Sequence, residues 1–265
     1  MIAAREIKYL SAPAEVSMAD RWYEIASVDH FWIRRRFNVL QRLEGDVLSR
    51  ARSIAEIGCG SGILQRQIED AYGKEVAGFD LNEAALKLNM SRTSEIHCYD
   101  IFQKQEPLRE KFDVILLFDV LEHITDEKGF LDALIFHLAP GGRVLLNVPA
   151  GQWAFSQYDR AAGHVRRYSI HSLRKALQHT DLCVARWTYW GLPLVPTLFV
   201  RKLWLMGKQD KDEIICSGFD TGNECVNRLM GALSCCELIP QKLIGTSLLA
   251  ALQFAPRGNF ARETK

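Results

Sequence analysis

Three glycines stand at every second position, Gly58, Gly60 and Gly62, directly after the apolar run 53–57. A helical pattern begins at Ile63. Because glycine lacks a Cβ and tolerates positive φ, such a strand–turn–helix segment lets a ligand approach the backbone closely. The third glycine of a dinucleotide fingerprint is missing, since residue 63 is Ile, and the lysine of a P-loop is missing too. The turn therefore suits a ligand that is not held by a polyphosphate.

Acidic side chains follow the next predicted strands. Asp80 lies about 20 residues beyond the glycine turn, where a carboxylate suits the diol of a ribose. The carboxylate of Asp80 can accept two charge-assisted hydrogen bonds from ribose hydroxyl groups. Asp100 follows the next strand and suits an exocyclic amine such as that of adenine, with Leu81 and Ile101 placed to sandwich the base. The alternative for each acid is a helix N-cap, a role that aspartate favours.

The elements that position these side chains alternate along the chain. The pattern predicts strands at 53–57, 75–79, 95–99, 112–118 and 143–148, with helices at 63–72, 82–90 and 127–138. Continuous apolar strands interleaved with helices indicate a parallel sheet covered on both faces. Right-handed crossovers then give a doubly wound α/β sheet, whose ligands bind beyond the carboxyl ends of the strands. This rim would gather Gly58–Gly62, Asp80, Asp100, Asp119, Glu122, His123 and Asn147.

Four segments over 50–150 resemble, in the same order, those of class I S-adenosylmethionine-dependent methyltransferases. The segment 56–62 resembles their cofactor loop, 78–82 their ribose-binding signature, 112–124 their fourth-strand segment and 138–143 the turn before their fifth strand. The resemblance implies S-adenosylmethionine as cofactor and S-adenosylhomocysteine as product. It implies a cofactor site formed by Glu56, Gly58, Cys59, Gly60, Gly62, Asp80, Leu81, Asp100, Ile101, Asp119, Val120 and His123.

The domain organisation follows from the same resemblance and pattern. We predict one methyltransferase domain, 1–265, with a doubly wound, mostly parallel, seven-stranded sheet of the Rossmann-like methyltransferase type. Residues 15–48 form an N-terminal helical cap and 50–150 the cofactor-binding core. Residues 151–265 supply an acceptor-side loop, a helical insertion within 191–244 and the last strands, 182–189 and 247–254. The insertion suits an acceptor pocket or a homodimer contact, and a membrane-surface contact less well.

The loop 158–169 resembles one in a bacterial branch of these enzymes that is often found in surface-polysaccharide or natural-product pathways. It implies methylation of a hydroxyl on a sugar, glycan or other small metabolite. A hydroxyl nucleophile benefits from a general base, most often histidine. His164 is the first candidate and His123 the second, and a structural role is the alternative for both.

Substrate contacts are predicted on both sides of the core. Aromatic side chains of the N-terminal segment could exclude water from the reacting centre, and an arginine fork suits an anionic acceptor group. The alternative for the loop 158–169 is an internally salt-bridged cap. The predicted contacts are Tyr23, Trp32, Asp159, His164, Arg166 and Arg167.

Composition and charge argue against nucleic-acid-binding, membrane-spanning, secreted and metal-binding proteins. A net charge of +1 gives no global case for nucleic acid, and Arg34–Arg36 is expected to form a solvated face. The longest uncharged apolar run, 187–200, is too short and too broken for a transmembrane helix. The N-terminus lacks the apolar region of a signal peptide, so we expect a cytoplasmic protein. Seven cysteines without C-x-x-C spacing predict free thiols and no metal site.

Two other functions remain open at this level. An N- or carboxyl-methyltransferase would use the same cofactor site, and a carboxylate acceptor would need no base at position 164. A non-catalytic regulatory protein would bind the cofactor and methylate nothing. The glycine turn and the acids beside it show only that binding is feasible.

Overall fold

The computed structural model describes residues 6–17 and 20–255. Helices and strands alternate through the first two thirds of the chain. The strands are β1 (Ile7–Tyr9), β2 (Ile54–Ile57), β3 (Ala77–Asp80), β4 (Ile96–Cys98), β5 (Phe112–Phe118), β6 (Leu138–Pro149), β7 (Leu182–Trp190) and β8 (Ser247–Phe254). The helices are α1 (Asp20–Ile25), α2 (Phe31–Arg50), α3 (Ile63–Tyr72), α4 (Glu83–Lys87), α5 (Glu127–His137), α6 (Gln157–Ala162), α7 (Ile170–Leu177), α8 (Val195–Trp204), α9 (Lys211–Phe219) and α10 (Glu224–Ser234).

The strands form one mixed sheet in the order β1-β4-β3-β2-β5-β6-β8-β7. Strands β1 to β6 are parallel, whereas β8 is antiparallel to both β6 and β7. The chain order reverses between β2 and β5, which is where ligands of doubly wound sheets bind. All seven predicted strands are present. An eighth, β1, pairs with β4 at the sheet edge, in a segment for which the sequence predicted no strand.

The core lies on both faces of the sheet, as the continuous apolar strands predict. Along β5, Ile115 and Leu117 pack into the cluster beneath α5 and α7, while Val114 and Leu116 pack into the cluster beneath α2 and α3. This alternation is the two-residue period of a strand with both faces covered. The sheet is therefore a rigid base, and its carboxyl rim is free to carry chemistry.

The N-terminal cap consists of two helices, where the pattern predicted one helical segment over 15–48. Helix α1 ends at Ile25, and the chain turns before α2 begins at Phe31. His30 caps α2, because its Nδ1 accepts the backbone N–H of Trp32 at 3.3 Å. Glu44 has non-helical backbone angles inside α2, next to the Gly45–Asp46 pair that interrupts the sequence pattern.

The predicted helical insertion is present as α8, α9 and α10, and it packs against the N-terminal cap. The expectation of a solvated face at Arg34–Arg36 is wrong for two of its three residues. Arg35 is 2% exposed and pairs with Glu237 at 3.0 Å, which ties α2 to the end of the insertion. Burial of both charges requires such pairing.

Composition also gave expectations for the cysteines and the helices. All seven cysteines lie in the described ranges and are free thiols. Within 6–17 and 20–255, every helix falls short of the length and apolar character that a membrane crossing requires.

Candidate active site

A cavity of about 560 Å³ lies beyond the carboxyl ends of the parallel strands. Its floor is the glycine turn after β2 together with the loops that follow β5 and β6. Helices α1 and α2 close one side, and residues of the insertion close the other. Nine of the predicted site residues line it: Tyr23, Trp32, Glu56, Gly58, Cys59, Gly60, Asp119, His164 and Arg167.

The glycine turn has the backbone that its spacing predicted. Gly58, Gly60 and Gly62 have φ values of 75°, 50° and 72°. A Cβ on Gly60 would lie 2.6 Å from Cε1 of Tyr23, a distance that real side chains do not reach. Gly60 is therefore required both by its φ and by the approach of α1, which brings Tyr23 onto the turn.

Asp80 fastens the glycine turn to the end of β3. Its carboxylate accepts the backbone N–H of Gly60 at 2.7 Å and that of Asn82 at 2.8 Å. Burial raises the pKa of this carboxyl, and the backbone hydrogen bonds oppose the rise. Asp80 thus has a positioning role in the glycine turn that needs no ligand.

Glu56 lies at the cavity floor as an acid without a full set of partners. It is 4% exposed, and its Oε2 has no hydrogen-bond partner among the described residues. Burial raises the pKa of Glu56 to about 8, although the nearby Arg36 lowers it in part. At neutral pH this carboxyl is consequently protonated, and it would ionise if a positive charge came to lie beside it.

Arg36 is the second arginine that the sequence placed wrongly in solvent. It is 5% exposed and donates to Oδ2 of Asp119, and its guanidinium lies 5.1 Å from the Trp32 ring centre. Asp119 also accepts the Nδ2 amide of Asn147 at 2.8 Å. The predicted cofactor contact Asp119 is therefore held between α2 and β6, a pairing that no local sequence pattern could reveal.

His164 lies in a charged cluster after α6. Its Nδ1 is 2.9 Å from Oδ1 of Asp159, and its Nε2 faces Oε1 of Glu122 at 4.0 Å. Asp159 is fully buried and accepts two bonds from Arg167, at 2.7 and 3.1 Å. These hydrogen bonds hold the pKa of Asp159 well below its usual range despite its burial. The His123 ring lies edge-on to His164, with ring centres 4.9 Å apart.

The structure keeps some predicted contacts away from the cavity. Arg166 pairs with Glu127 and does not line the cavity, and its role as a substrate contact stays a prediction. Asp159 is a partner of His164 and Arg167 and likewise does not face the cavity, which agrees with the salt-bridged alternative. Val120 lies against Gly58 of the glycine turn, and neither Val120 nor Gly62 lines the cavity.

The predicted adenosine side lies under an N-terminal segment. Ser11 Oγ accepts the backbone N–H of Asp100 at 2.8 Å, and the N–H of Ala14 donates to the carbonyl of Leu81 at 3.1 Å. Ile101 is 6% exposed beneath them. Strand β1 causes this arrangement, because it brings the chain over the ends of β4 and β3.

The residues that sequence reasoning missed come mainly from the insertion. Leu198, Trp204, Phe219 and Met230 line the cavity opposite the glycine turn. The Phe219 ring stacks on His30 with centres 4.0 Å apart, which joins the insertion to the cap. Their apolar spacing predicted helices, but nothing local indicated which face would meet the sheet.

Residues 26–186, more than half of the chain, match the sequence pattern of a family described as a methyltransferase domain. This chain belongs to that methyltransferase family. The methyltransferase uses S-adenosylmethionine, which this family binds. The cavity fits such a cationic molecule, because one oxygen of the buried Glu56 carboxyl has no partner and lies beside a glycine-rich turn.

Curated proteins match part of the sequence of this methyltransferase. A ubiquinone biosynthesis O-methyltransferase of Idiomarina loihiensis is 29% identical over 102 residues, 36% of this chain and 42% of that protein. The matched stretch thus spans less than half the length of such curated relatives.

Two solved structures share the fold. A SAM-dependent methyltransferase from Archaeoglobus fulgidus has a TM-score of 0.52 and 17% identity, over 83% of this chain and 94% of that one. The N-methyltransferase NodS of Bradyrhizobium japonicum WM9, in complex with S-adenosyl-L-homocysteine, has a TM-score of 0.51 and 17% identity, over 85% and 88%. At these identities the structures show the fold alone.

Proposed function

We propose that the methyltransferase transfers the methyl group of S-adenosylmethionine to a hydroxyl of a sugar or other small metabolite. The observation that carries the proposal is the His164 ring at the cavity wall, with its Nδ1 bonded to Asp159 at 2.9 Å. A carboxylate that fixes one ring nitrogen leaves the other available for the proton of a hydroxyl nucleophile. The methyl group itself leaves by in-line displacement, for which the protein mainly supplies orientation.

On the cofactor side, we expect Glu56 and the glycine turn to bind the amino-acid end of S-adenosylmethionine. A carboxylate at this place can pair with the positive charges of that end, and the turn leaves room for it. Asp80 would receive the ribose, and Asp100, with Leu81 and Ile101, the adenine. The adenine contacts require the segment that contains Ser11 and Ala14 to move aside or to share the contact.

On the acceptor side, we expect Arg201 of α8 to bind an anionic group of the acceptor. The sequence predicted this role for Arg166 and Arg167. Arg201 lines the cavity, and its guanidinium donates to the backbone carbonyl of Gly218 at 3.1 Å. Its guanidinium lies 4.2 Å from the Tyr158 ring centre, and burial lowers its pKa. A half-buried guanidinium with this environment suits an acceptor that carries a carboxylate or phosphate.

The rival is an N- or carboxyl-methyltransferase, and the fold does not choose between them. The test is an acceptor panel in which the same sugar or aromatic scaffolds carry a hydroxyl, an amine or a carboxylate. Methylated products are detected by mass spectrometry, and S-adenosylmethionine binding is measured separately by calorimetry. We expect products from hydroxyl acceptors only. Products confined to amines or carboxylates would refute the proposed acceptor, and absent cofactor binding would refute the cofactor site.

A second arm tests His164. We expect His164→Ala to lower kcat for a hydroxyl acceptor by about 10²–10⁴-fold, the usual contribution of a general base, with unchanged cofactor affinity. His171→Ala is the matched control, because His171 is an exposed histidine of α7, away from the cavity. Full activity of His164→Ala would favour a carboxylate acceptor, which needs no base.

A further inference from the structure

Three side chains converge beside the cavity from two separate loops. Glu122 and His123 belong to the short helical turn after β5, and His164 follows α6. One potential ligand atom from each lies within 4.8 Å of the others. The loops approach because the backbone N–H of Val165 donates to the carbonyl of Glu122 at 2.9 Å.

Glu122 has a feature that points to a missing partner. It is 0% exposed and lines the cavity, and in the described part of the chain neither carboxylate oxygen has a hydrogen-bond partner. Leaving a buried carboxylate unpaired is costly, so such a group is neutral or meets a cation. Among the described residues, Arg167 acts on this carboxyl from a distance but is bonded to Asp159, and Nε2 of His164 lies 4.0 Å away, too far for a hydrogen bond.

The surroundings of the histidines fit metal ligation. Asp159 holds Nδ1 of His164 and leaves Nε2 directed at Glu122, and Arg167 holds Asp159 in turn. A carboxylate behind a histidine is the usual support of a metal-binding imidazole. Ser17 Oγ lies 2.9 Å from Nδ1 of His123, and the ring also bonds the backbone of Gly163, a contact that ligation would have to replace.

We propose that Glu122, His123 and His164 bind one divalent transition-metal cation at the cavity wall. Two imidazoles and one carboxylate suit Zn²⁺, Mn²⁺ and related ions, and three protein ligands leave coordination positions open for water or for an acceptor oxygen. The sequence predicted no metal, because its reasoning looked for cysteine spacing and the actual ligands lie on different loops. The cation site does not depend on which acceptor the enzyme methylates.

Cation binding changes the part that His164 plays, and this consequence does rest on the proposed function. An Nε2 that ligates a cation cannot accept a proton. The acceptor hydroxyl would then ligate the cation, which lowers its pKa, and its proton would pass to water. The oxygen forms its bond to the methyl carbon as the carbon–sulfur bond breaks, and that electron pair stays on sulfur. If His164 acts as a general base without a cation, methyl transfer persists after the metal is removed. If the acceptor hydroxyl ligates the cation, removal of the metal abolishes methyl transfer.

The test uses the full chain after treatment with a chelator and gel filtration. Mn²⁺ and Zn²⁺ are titrated by calorimetry, and the bound metal is counted by mass spectrometry. We expect one ion per chain, and an affinity reduced by more than about 100-fold in Glu122→Gln, which keeps the shape and removes the charge. His30→Gln is the matched control, because His30 lines the same cavity outside the cluster. The affinity of the His30→Gln variant for the metal ion should stay within about threefold of that of the wild type.

Three results separate the outcomes. Absence of saturable binding, or equal binding by Glu122→Gln and wild type, overturns the cation site. Thermal unfolding of metal-free Glu122→Gln checks the fold, and we expect it to match the wild type or exceed it, since the variant removes an unpartnered buried acid. S-adenosylmethionine binding on the same samples reports on the cofactor site, so its loss would count against the proposed function and leave the cation site standing.

Discussion

We expect the binding of S-adenosylmethionine beside Glu56 to release a proton. In the free enzyme the burial of this carboxyl raises its pKa to about 8. At pH 7 a group with that pKa is about 0.9 protonated. S-adenosylmethionine bound as proposed would bring a sulfonium and an ammonium group into the cavity, and a positive charge nearby favours the ionised carboxylate. We therefore expect about 0.9 proton to leave Glu56 when the cofactor binds at pH 7.

The same linkage sets the pH dependence of the affinity. Below pH 8 the free enzyme holds a proton that the complex lacks, so binding strengthens by about ninefold from pH 6 to 7 and about fivefold from pH 7 to 8. Above pH 8 the dependence levels off. Calorimetry at pH 7 in buffers with different ionisation enthalpies counts the protons, and titrations at pH 6, 7 and 8 give the affinities.

Glu56→Gln is the control that isolates the carboxyl. It keeps the shape of the side chain and cannot ionise, so it should release about 0.9 fewer protons than the wild type. The cofactor's own amino group titrates in both proteins and cancels in the difference. Equal proton release by the two proteins, or a wild-type affinity that is constant between pH 6 and 8, would refute the reasoning.

Stability offers an independent check with a defined sign. The pKa of Glu56 is raised from 4.5 in the unfolded chain to about 8 in the folded one. Between these values the folded chain binds the extra proton, so the free energy of unfolding falls as the pH rises, by up to about 1.4 kcal/mol for each unit. Urea unfolding should show that this slope is smaller in Glu56→Gln.

Three further predictions concern the turn, the buried pair and the acceptor. Gly60→Ala should weaken cofactor binding by about tenfold, since positive φ costs a side chain 1–2 kcal/mol and Tyr23 blocks its Cβ; Gly73→Ala, with φ 62° and open space, should bind normally in the same calorimetric titration. Asp159→Asn should lower the free energy of unfolding in urea by about 3–5 kcal/mol, because it leaves a buried guanidinium unpaired, and a loss under 1 kcal/mol would contradict this. Arg201→Gln should raise KM for an anionic acceptor with little change in kcat, and an unchanged KM would exclude the contact.

The sequence by itself determined the parts that depend on local periodicity and turn chemistry. Helix α3 and strand β5 have the predicted bounds, 63–72 and 112–118. The Gly58–Gly62 turn has the positive φ values that its spacing demanded. These features follow from neighbouring residues along the chain: an apolar run that both faces of a sheet can bury, then glycines that only a tight turn requires. The same signals predicted a parallel sheet and its ligand-binding rim.

Only the tertiary structure decided which charges meet. Arg36 sits in a run of three arginines that reads as a solvated face, yet it is buried against Asp119 of another element. Glu122 carries no local sign that it would lie unpartnered beside His164, because the two belong to loops that only the packed sheet brings together. Which of two adjacent side chains, Arg166 or Arg167, would be buried likewise depends on the partner across the fold. Burial and pairing are properties of the folded chain, since desolvation is set by everything that packs around a charge.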